Sequence, residues 1–295
     1  MAQWKAVASL LYSEVEEIDL VTFPVFVLIN LAEGRTSVLP NWKMSKLAAL
    51  EPSALIAWIS ANNCTRALLP PTLCEKLIEA KDTGTLNHIF TGGGPVFPDV
   101  FQSIQDIDEH LKITTVYGST EAEPIAHAHT NQQGFGLFVG KPIDAVSLRI
   151  VATEIQVAGD HVNTGYLDPA RDSETKIYED STIWHRTGDA GRLDEKGQLW
   201  LLGRVGDQVI TDEGVQYPFA VETAARMWPG AMRVALIELE QTPVLVIEGQ
   251  ATQIDIWRAK AAAFGIRDVR HITAIPCDKR HHSKVDRLAL RKQLG

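Results

Sequence analysis

The chain has 295 residues, a length that accommodates about two domains. Apolar residues make up 45% and charged residues 22%, which excludes a disordered or collagen-like chain. Against 28 Lys and Arg stand 37 Asp and Glu, so the net charge of −9 argues against a protein that coats polyanionic nucleic acid. Any phosphate it handles must be met locally by a metal, a few cations or backbone N–H groups.

Residues 4–17 place Trp4, Val7, Ala8, Leu11 and Val15 near helical spacing with Glu14, Glu16 and Glu17 outward, which predicts an amphipathic helix. An apolar run follows through Phe23, Val25, Phe26, Val27 and Ile29. The stretch 21–32 is too short to cross a bilayer and contains Pro24 and Asn30. After Gly34 a short strand is expected in TSVLP, ending at Pro40, then a helix over 52–61, a strand at 66–70 and a helix over 71–80. LNHIFTGGGP reads as a strand meeting a glycine turn, PDVFQSIQDI as a helix and ITTVYGS as a strand that ends in a loop. Strands alternating with helices of this length predict an α/β fold with a mostly parallel sheet covered on both faces.

From about residue 134 the texture changes. VSLRIV, EIQVAG, TIWHRTGDAGRL and QLWLLGRV are short segments separated by Gly, Asp and Pro, and predict an antiparallel β-rich subdomain over about 134–205. RVALIEL and PVLVIEG then flank a QTP turn as a hairpin, followed by a helix at 252–264, the strand VRHITAI and a terminal helix at 286–293. The chain therefore divides into a large domain, 1–205, and a compact α+β domain, 206–295, with the boundary near 204–207.

Cys64, Cys74 and Cys277 form no C-x-x-C pair and are odd in number, which fits reduced thiols in a cytoplasmic protein. The acidic start MAQWKAVASLLYSEVEE lacks the small-residue cleavage site of a signal peptide.

Four segments carry candidate chemistry. In Thr91-Gly92-Gly93-Gly94-Pro95 the glycines let backbone approach a flat ligand, or simply turn the chain. Val116-Tyr117-Gly118-Ser119-Thr120-Glu121 puts an aromatic ring, two hydroxyls and a carboxylate at a strand end, where open α/β sheets bind ligands. The alternative is a strand cap with an exposed Glu. In Trp184-His185-Arg186-Thr187-Gly188-Asp189 the carboxylate of Asp189 can accept from a ribose diol while Arg204 closes over the sugar, or the two can be a hairpin ion pair. Arg280-His281-His282-Ser283-Lys284-Val285-Asp286-Arg287 holds a candidate mobile lysine, or is a solvated charge run. His127 and His129 alternate after YGSTE, facing either a tunnel or solvent.

In order and spacing these segments resemble the AMP-forming adenylate-forming superfamily of acyl-CoA synthetases, luciferases and adenylation domains. GGGP is similar to its GGAP turn, YGSTE to Y-G-x-T-E, GLFVGKP to G-x-x-G-x-P and EIQVAGDHVNTGYL to its G-E-I-x-V-x-G…G-Y segment. RTGD, GRVGDQVITDEGVQYP and SKVDR match its ribose aspartate, hinge and catalytic-lysine segments, so the resemblance runs over about residues 21–291. TFPVFVLINLAEGRTSVLP, YGSTEAEPIA and DKRHHSKVDR look most like the long-chain acyl and olefin β-lactone synthetase branch.

The resemblance implies that Gly92, Gly93, Gly94 and Pro95 line the adenine and acyl pockets and that Tyr117 stacks on adenine beside Gly118 and Ser119. It implies further that Thr120 holds the α-phosphate, Glu121 a Mg²⁺ ion, and Asp189 and Arg204 the ribose, while Lys284 reaches the substrate carboxylate and the α-phosphate. The implied reaction joins a fatty or hydroxy fatty acid to ATP, giving acyl-AMP and pyrophosphate, with CoA, another thiol or an intramolecular hydroxyl as acceptor. An alternative reading is a non-catalytic AMP- or acyl-AMP-binding half-enzyme, and a third is a structural fragment. The family's Ser/Thr/Gly-rich phosphate loop and any G-K-[ST] are missing from the sequence, Val27 stands where many relatives have histidine, and Gly206 occupies the hinge position. The chain is thus expected to be the second part of the large domain plus the small domain. An open sheet edge or face would then recruit a second copy or a complementary N-terminal chain.

Overall fold

The computed structural model describes residues 2–278 and 282–295. Its first part alternates as predicted: α1 (Ala2–Leu10), β1 (Ile18–Val21), α2 (Pro24–Ala32), β2 (Thr36–Val38), α3 (Pro52–Ala61), β3 (Arg66–Leu69), α4 (Pro71–Ala80), β4 (His88–Gly92), α5 (Pro98–Ile107) and β5 (Lys112–Ser119). Proline opens α2, α3, α4 and α5, where its missing N–H costs nothing and its fixed φ suits the first turn. The strands run parallel in the order β2-β1-β3-β4-β5. Alternate residues face opposite layers. Leu20, Leu69 and Ile89 pack under α3, α4 and α5, while Val21, Leu68 and Phe90 pack under Val7 and Leu11 of the N-terminal segment and Ile29 of α2. Both faces of the parallel sheet are covered.

The expected helix over 4–17 is cut short at Leu10. Glu17, expected outward, is buried instead, accepting from Ser13 Oγ at 3.0 Å and Thr65 Oγ1 at 2.5 Å, and Val15 is exposed. The apolar run after residue 21 becomes the helix α2. Beneath it Arg66 grips Asp19 at 2.7 and 2.9 Å and the Leu11 carbonyl at 2.9 Å, joining β1, β3 and the end of α1 through a buried ion pair.

At β6 (Ala122–Ala128) the sheet turns antiparallel and continues through β7 (Leu137–Pro142), β8 (Ser147–Val151), β9 (Glu154–Ala158), a short α6 (Asp172–Thr175), β10 (Lys176–Glu179), β11 (Thr182–Leu193) and β12 (Leu199–Arg204). The order runs β5-β6-β7-β12-β11-β9-β8, with β10 on β11. The β-rich segment thus extends the parallel sheet into one of 12 strands among the described residues.

The last part comprises β13 (Val209–Thr211), β14 (Gly214–Gln216), α7 (Pro218–Arg226), β15 (Ala231–Leu239), β16 (Thr242–Gly249), α8 (Ile254–Ala261), β17 (Asp268–Ile272) and α9 (Arg287–Leu294). The hairpin turn lies at Glu240 and Gln241, both at positive φ, one residue before the expected QTP. Val234, Leu236, Leu245 and Ile247 face α7 and α8, and Ala235, Ile237, Val244 and Val246 face Leu290 of α9, so this module has cores on both sides of its sheet.

It docks on the large domain through apolar and charged contacts: Phe219 meets the Phe97 ring edge-on, and Tyr217 packs with Ala190 and Leu202. Arg226 donates to Asp99 Oδ1 and Oδ2 at 2.6–3.1 Å and lies 4.6 Å from the Phe97 ring, while Arg233 meets Glu75 at 3.2 Å.

Candidate functional site

The ends of β4 and β5 lie against each other. Gly92 pairs with Val116 so closely that a Cβ there would collide with the Val116 carbonyl oxygen, which is why glycine is needed. Gly93, at positive φ, turns beside the Phe23 ring. Gly94 faces the Ser283 side chain, and Pro95 follows in the loop to α5.

From that turn β5 carries Tyr117 to the next layer of the site. Its hydroxyl donates to Asp189 Oδ2 at 2.8 Å, and Arg204 donates to Asp189 Oδ1 at 2.9 Å and to the Thr187 carbonyl at 3.0 Å. Residues 72 apart in sequence, Tyr117 and Asp189, are thereby joined, and Arg204 reaches Asp189 because β11 and β12 pair them directly. Burial, then the Asp189 charge, drives the Tyr117 hydroxyl well above its ordinary pKa, so it stays a donor. Glu154 stiffens the turn from below, accepting from Arg186 Nε at 2.8 Å and from the Gly188 N–H at 3.2 Å. A concavity of about 600 Å³ opens beside Gly188 and Arg204.

Glu121 sits just past β5 in a second polar cluster. Tyr166 donates its hydroxyl to Glu121 Oε1 at 2.9 Å, and Asn163 donates its N–H to the Glu121 carbonyl at 2.6 Å. Burial favours the neutral acid, but hydrogen bonds from Tyr166, the Glu121 backbone N–H and Ser119 outweigh it and hold the Glu121 carboxyl below its usual range, so it is ionised at neutral pH. Lys176, almost fully buried, donates to the Asn163 carbonyl, contacts His185 Nδ1 at 3.2 Å and lies 5.3 Å from the Tyr166 ring. Burial lowers the pKa of both Lys176 and His185. An ionised carboxylate at a strand end is the donor type that Mg²⁺ takes alongside phosphate oxygens, so Glu121 fits that assignment. Among the described residues no group of three His, Cys, Asp or Glu side chains is arranged to hold a metal without such a ligand.

Ser119 Oγ is buried beside the Glu121 carboxylate, and the Thr120 side chain is exposed while its carbonyl accepts from Gln3 of α1 at 3.4 Å. Across the cleft, the C-terminal loop is shaped by Asp278, whose carboxylate accepts from the N–H groups of Ser283 and Lys284 at 3.0 and 2.8 Å. A Cβ at Gly94 would overlap Ser283, so glycine there admits the loop, and the exposed Lys284 follows at the mouth of the turn. Arg280 and His281 lie outside the described residues. His282 is described, and His271 Nε2 donates to the Gly249 carbonyl at 3.0 Å.

The fold thus brings Gly92–Gly94, Tyr117, Asp189 and Arg204 together, adds the Lys284 loop through Ser283, and places Glu121 at the end of the same strand pair. No hydrogen bond in the described residues links Glu121 to the Asp189–Arg204 pair directly. His127 lies on β6, half-buried, and His129 just past it, exposed and bonded to Thr114 Oγ1 at 2.9 Å. Tyr166 and Lys176 were given no role from sequence. They lie 45 and 55 positions from Glu121, and only folding joins them.

Residues 21–167 match the model of the AMP-binding enzyme family. Over 321 aligned residues the chain is 29% identical to an olefin β-lactone synthetase of Stenotrophomonas maltophilia, covering 92% of this chain and 58% of that protein. It is 26% identical to a 2-succinylbenzoate–CoA ligase of Geobacillus kaustophilus, covering 80% of this chain and 51% of the relative. Its fold is that of the amide bond synthetase McbA from Marinactinospora thermotolerans, at a TM-score of 0.82 and 21% identity, covering 99% of this chain and 66% of that one. It is also that of O-succinylbenzoate coenzyme A synthetase from Bacillus subtilis, solved with AMP, at a TM-score of 0.76 and 19% identity, covering 98% and 63%. The chain spans a little over half the length of these curated relatives. No helix among the described residues is long and apolar enough to cross a membrane.

Proposed function

Because the chain belongs to the AMP-binding enzyme family, we propose that it binds an adenine nucleotide across the ends of β4, β5 and β11 and activates a carboxylic acid as its acyl-adenylate. The observation that carries this reading is the hydrogen-bonded set Tyr117, Asp189 and Arg204 at the strand ends next to the glycine turn, whose Gly94 lies against Ser283 of the Lys284 loop. Asp189, oriented by two donors, keeps lone pairs to accept from the ribose hydroxyls. The adenine lies between the Tyr117 ring and the backbone of Gly92–Gly94. Thr120, with Ser119 beside it, donates to the α-phosphate in this reading.

In the proposed reaction a carboxylate oxygen of the acid attacks the α-phosphorus of ATP. The bond to the bridging oxygen breaks, and the electron pair leaves with pyrophosphate. Two anions must approach, so charge is the main barrier. Lys284 offsets it from the small domain, bridging the acid and the α-phosphate. A Mg²⁺ held by Glu121 and phosphate oxygens would add positive charge at the same place. The resemblance implies a fatty or hydroxy fatty acid, then transfer to CoA, another thiol or an intramolecular hydroxyl.

Acid-dependent exchange of labelled pyrophosphate into ATP tests the reading. The expected result is exchange that Lys284→Ala lowers at least about 100-fold, the scale of losing a group that stabilises transition-state charge. Exchange with no acid in a broad panel, or exchange indifferent to Lys284→Ala, refutes it. A second reading is a module that holds AMP or acyl-AMP without turnover. It predicts that ATP binds no tighter than AMP in calorimetry.

A further inference from the structure

The loop that presents Lys284 is closed at its root. Cys277 and Val285 form an antiparallel bridge, and Asp286 donates its N–H to the Pro276 carbonyl at 2.8 Å. Asp278 donates its N–H to the Lys284 carbonyl and accepts the Lys284 N–H on its carboxylate, both at 2.8 Å. The Lys284 side chain is exposed, so its aim is set by the loop backbone, and the bearing of the loop by whatever holds the root.

What holds the root is a guanidinium that also reaches the other domain. Arg233, near the start of β15, donates through Nη1 to Cys277 Sγ at 3.0 Å and through Nη2 to Glu75 Oε2 of α4 at 3.2 Å. Cys277 in turn donates its thiol to the Ile275 carbonyl at 3.6 Å, and the Ile275 N–H goes to Glu248, which faces Arg233 across the β15–β16 pair. The thiol keeps its proton for that bond, because burial raises its pKa further than Arg233 lowers it. Both Nη groups lie in one rigid plane, so the separation of Glu75 and Cys277 is fixed while both bonds are made. The far end of the loop meets the same wall. Ser283 packs on Gly94, and a Cβ at Gly94 would also lie 3.7 Å from Pro71, the first residue of α4. Glu75 follows Pro71 by about one helical turn.

We infer that Arg233 is a positioning residue for Lys284: it fixes the root of the Lys284 loop on Glu75 of the large domain while Ser283 seats the far end at Gly94. Attachment at two points, α4 and the glycine turn beside it, sets the direction in which Lys284 leaves the loop. Arg226, by contrast, grips Asp99 from α7 and holds the domains as bodies without touching the loop. The role of Arg233 rests on the proposed acid activation, in which Lys284 has to meet the acid and the α-phosphate at once. Misplacing such a group by about 1 Å costs up to about 100-fold in rate.

Cys277→Ala separates positioning from docking, because it cuts the loop from Arg233 and leaves the Arg233–Glu75 pair in place. The unaltered chain, Cys277→Ala, Cys277→Ser, Arg233→Met and Lys284→Ala are compared in pyrophosphate exchange, using the best acid of a panel of aliphatic, hydroxylated and aromatic carboxylates. AMP affinity is measured alongside by calorimetry. The expected result is that Cys277→Ala and Arg233→Met each lower the maximal exchange rate at least about 10-fold, with AMP affinity unchanged and little further loss when combined. Cys277→Ser, whose hydroxyl still accepts from Arg233, should keep most of the rate. Full rate in Cys277→Ala, or Cys277→Ser as slow as Cys277→Ala, overturns the role of Arg233, while exchange that depends on Lys284 leaves acid activation standing. A fall in AMP affinity that matches the fall in rate does the same. No exchange by the unaltered chain with any acid overturns both.

Discussion

Arg226 is the main charged tether between the two domains, and Arg226→Met is the most informative perturbation of their arrangement. The side chain is 7% exposed, while its partners Asp99 and Glu75 are 29% and 30% exposed. Methionine keeps the apolar stem over Phe97 but removes the fork that grips Asp99 at 2.6–3.1 Å. Breaking a buried charge pair costs about 3–5 kcal/mol when the survivor stays buried. Here the surviving carboxylates reach water, so the cost falls to about 2 kcal/mol, or roughly 30-fold in the docked-to-undocked ratio. The loss appears mainly in the docking equilibrium, because the cores under α3–α5 and under α7–α9 lie away from Arg226, while the Phe97–Phe219 and Leu202–Tyr217 contacts remain. Undocking loosens the backbone of the connection around Arg204–Asp207, where Arg204 and Gly206 are already exposed and a Cβ at Gly206 would meet nothing. Trypsin cleavage after Arg204 should therefore accelerate roughly 30-fold in Arg226→Met when opening is fast relative to cleavage, with far-UV circular dichroism unchanged. In a double-mutant cycle Asp99→Asn should add little to Arg226→Met. Unchanged cleavage, or full additivity of the two substitutions, would refute the tether.

Glu123, on β6, makes a prediction about pH. Burial pushes its folded pKa up to about 7, above the ordinary 4.5, so between those values the folded chain binds more protons than the unfolded chain and loses stability as pH rises. Glu123→Gln should therefore be more stable than the unaltered chain by about 2–3 kcal/mol at pH 8 and by much less at pH 5, read from urea unfolding of the large domain. His88, which burial depresses to about 4, pulls the other way below pH 6.5, but it is common to both proteins and cancels in the difference. A pH-independent difference would contradict this. At the opposite end of the sheet, Arg66→Ala should destabilise by about 3–5 kcal/mol by stranding Asp19. Replacing both residues by leucine should recover much of that loss in the same assay, and a loss below about 1 kcal/mol would show that the pair carries little.

The region from residue 52 to Ser119 was legible because local signals agree. Proline opens each helix, the parallel strands are apolar on both faces, and glycine ends β4. The stretch after Leu10 was not, since Glu17 turns inward only because Thr65, 48 positions away, is there to bond it. Nor was α2 recognisable as an amphipathic helix: Val25, Leu28 and Leu31 are exposed, so its apolar residues lie all round rather than along one stripe. At the site, Asp189 and Arg204 stand out in sequence as a motif, and their pairing follows from β11 and β12. The Tyr117 hydroxyl bond, the Tyr166–Glu121 bond and the buried Lys176 depend on strand order and have no local signature. Glu123 reads in sequence as one more acidic residue after a motif. Its character appears only when β6 folds back on β5 and sets it over Gly118.

The most direct measurement is calorimetric titration of AMP into the unaltered chain and into Asp189→Ala. If Tyr117, Asp189 and Arg204 form the floor of a nucleoside monophosphate site, AMP binds the former and is weakened at least about 10-fold in the latter, the scale of losing a charged hydrogen-bond acceptor. Absence of AMP binding to the unaltered chain, or equal affinity in both proteins, would contradict the account.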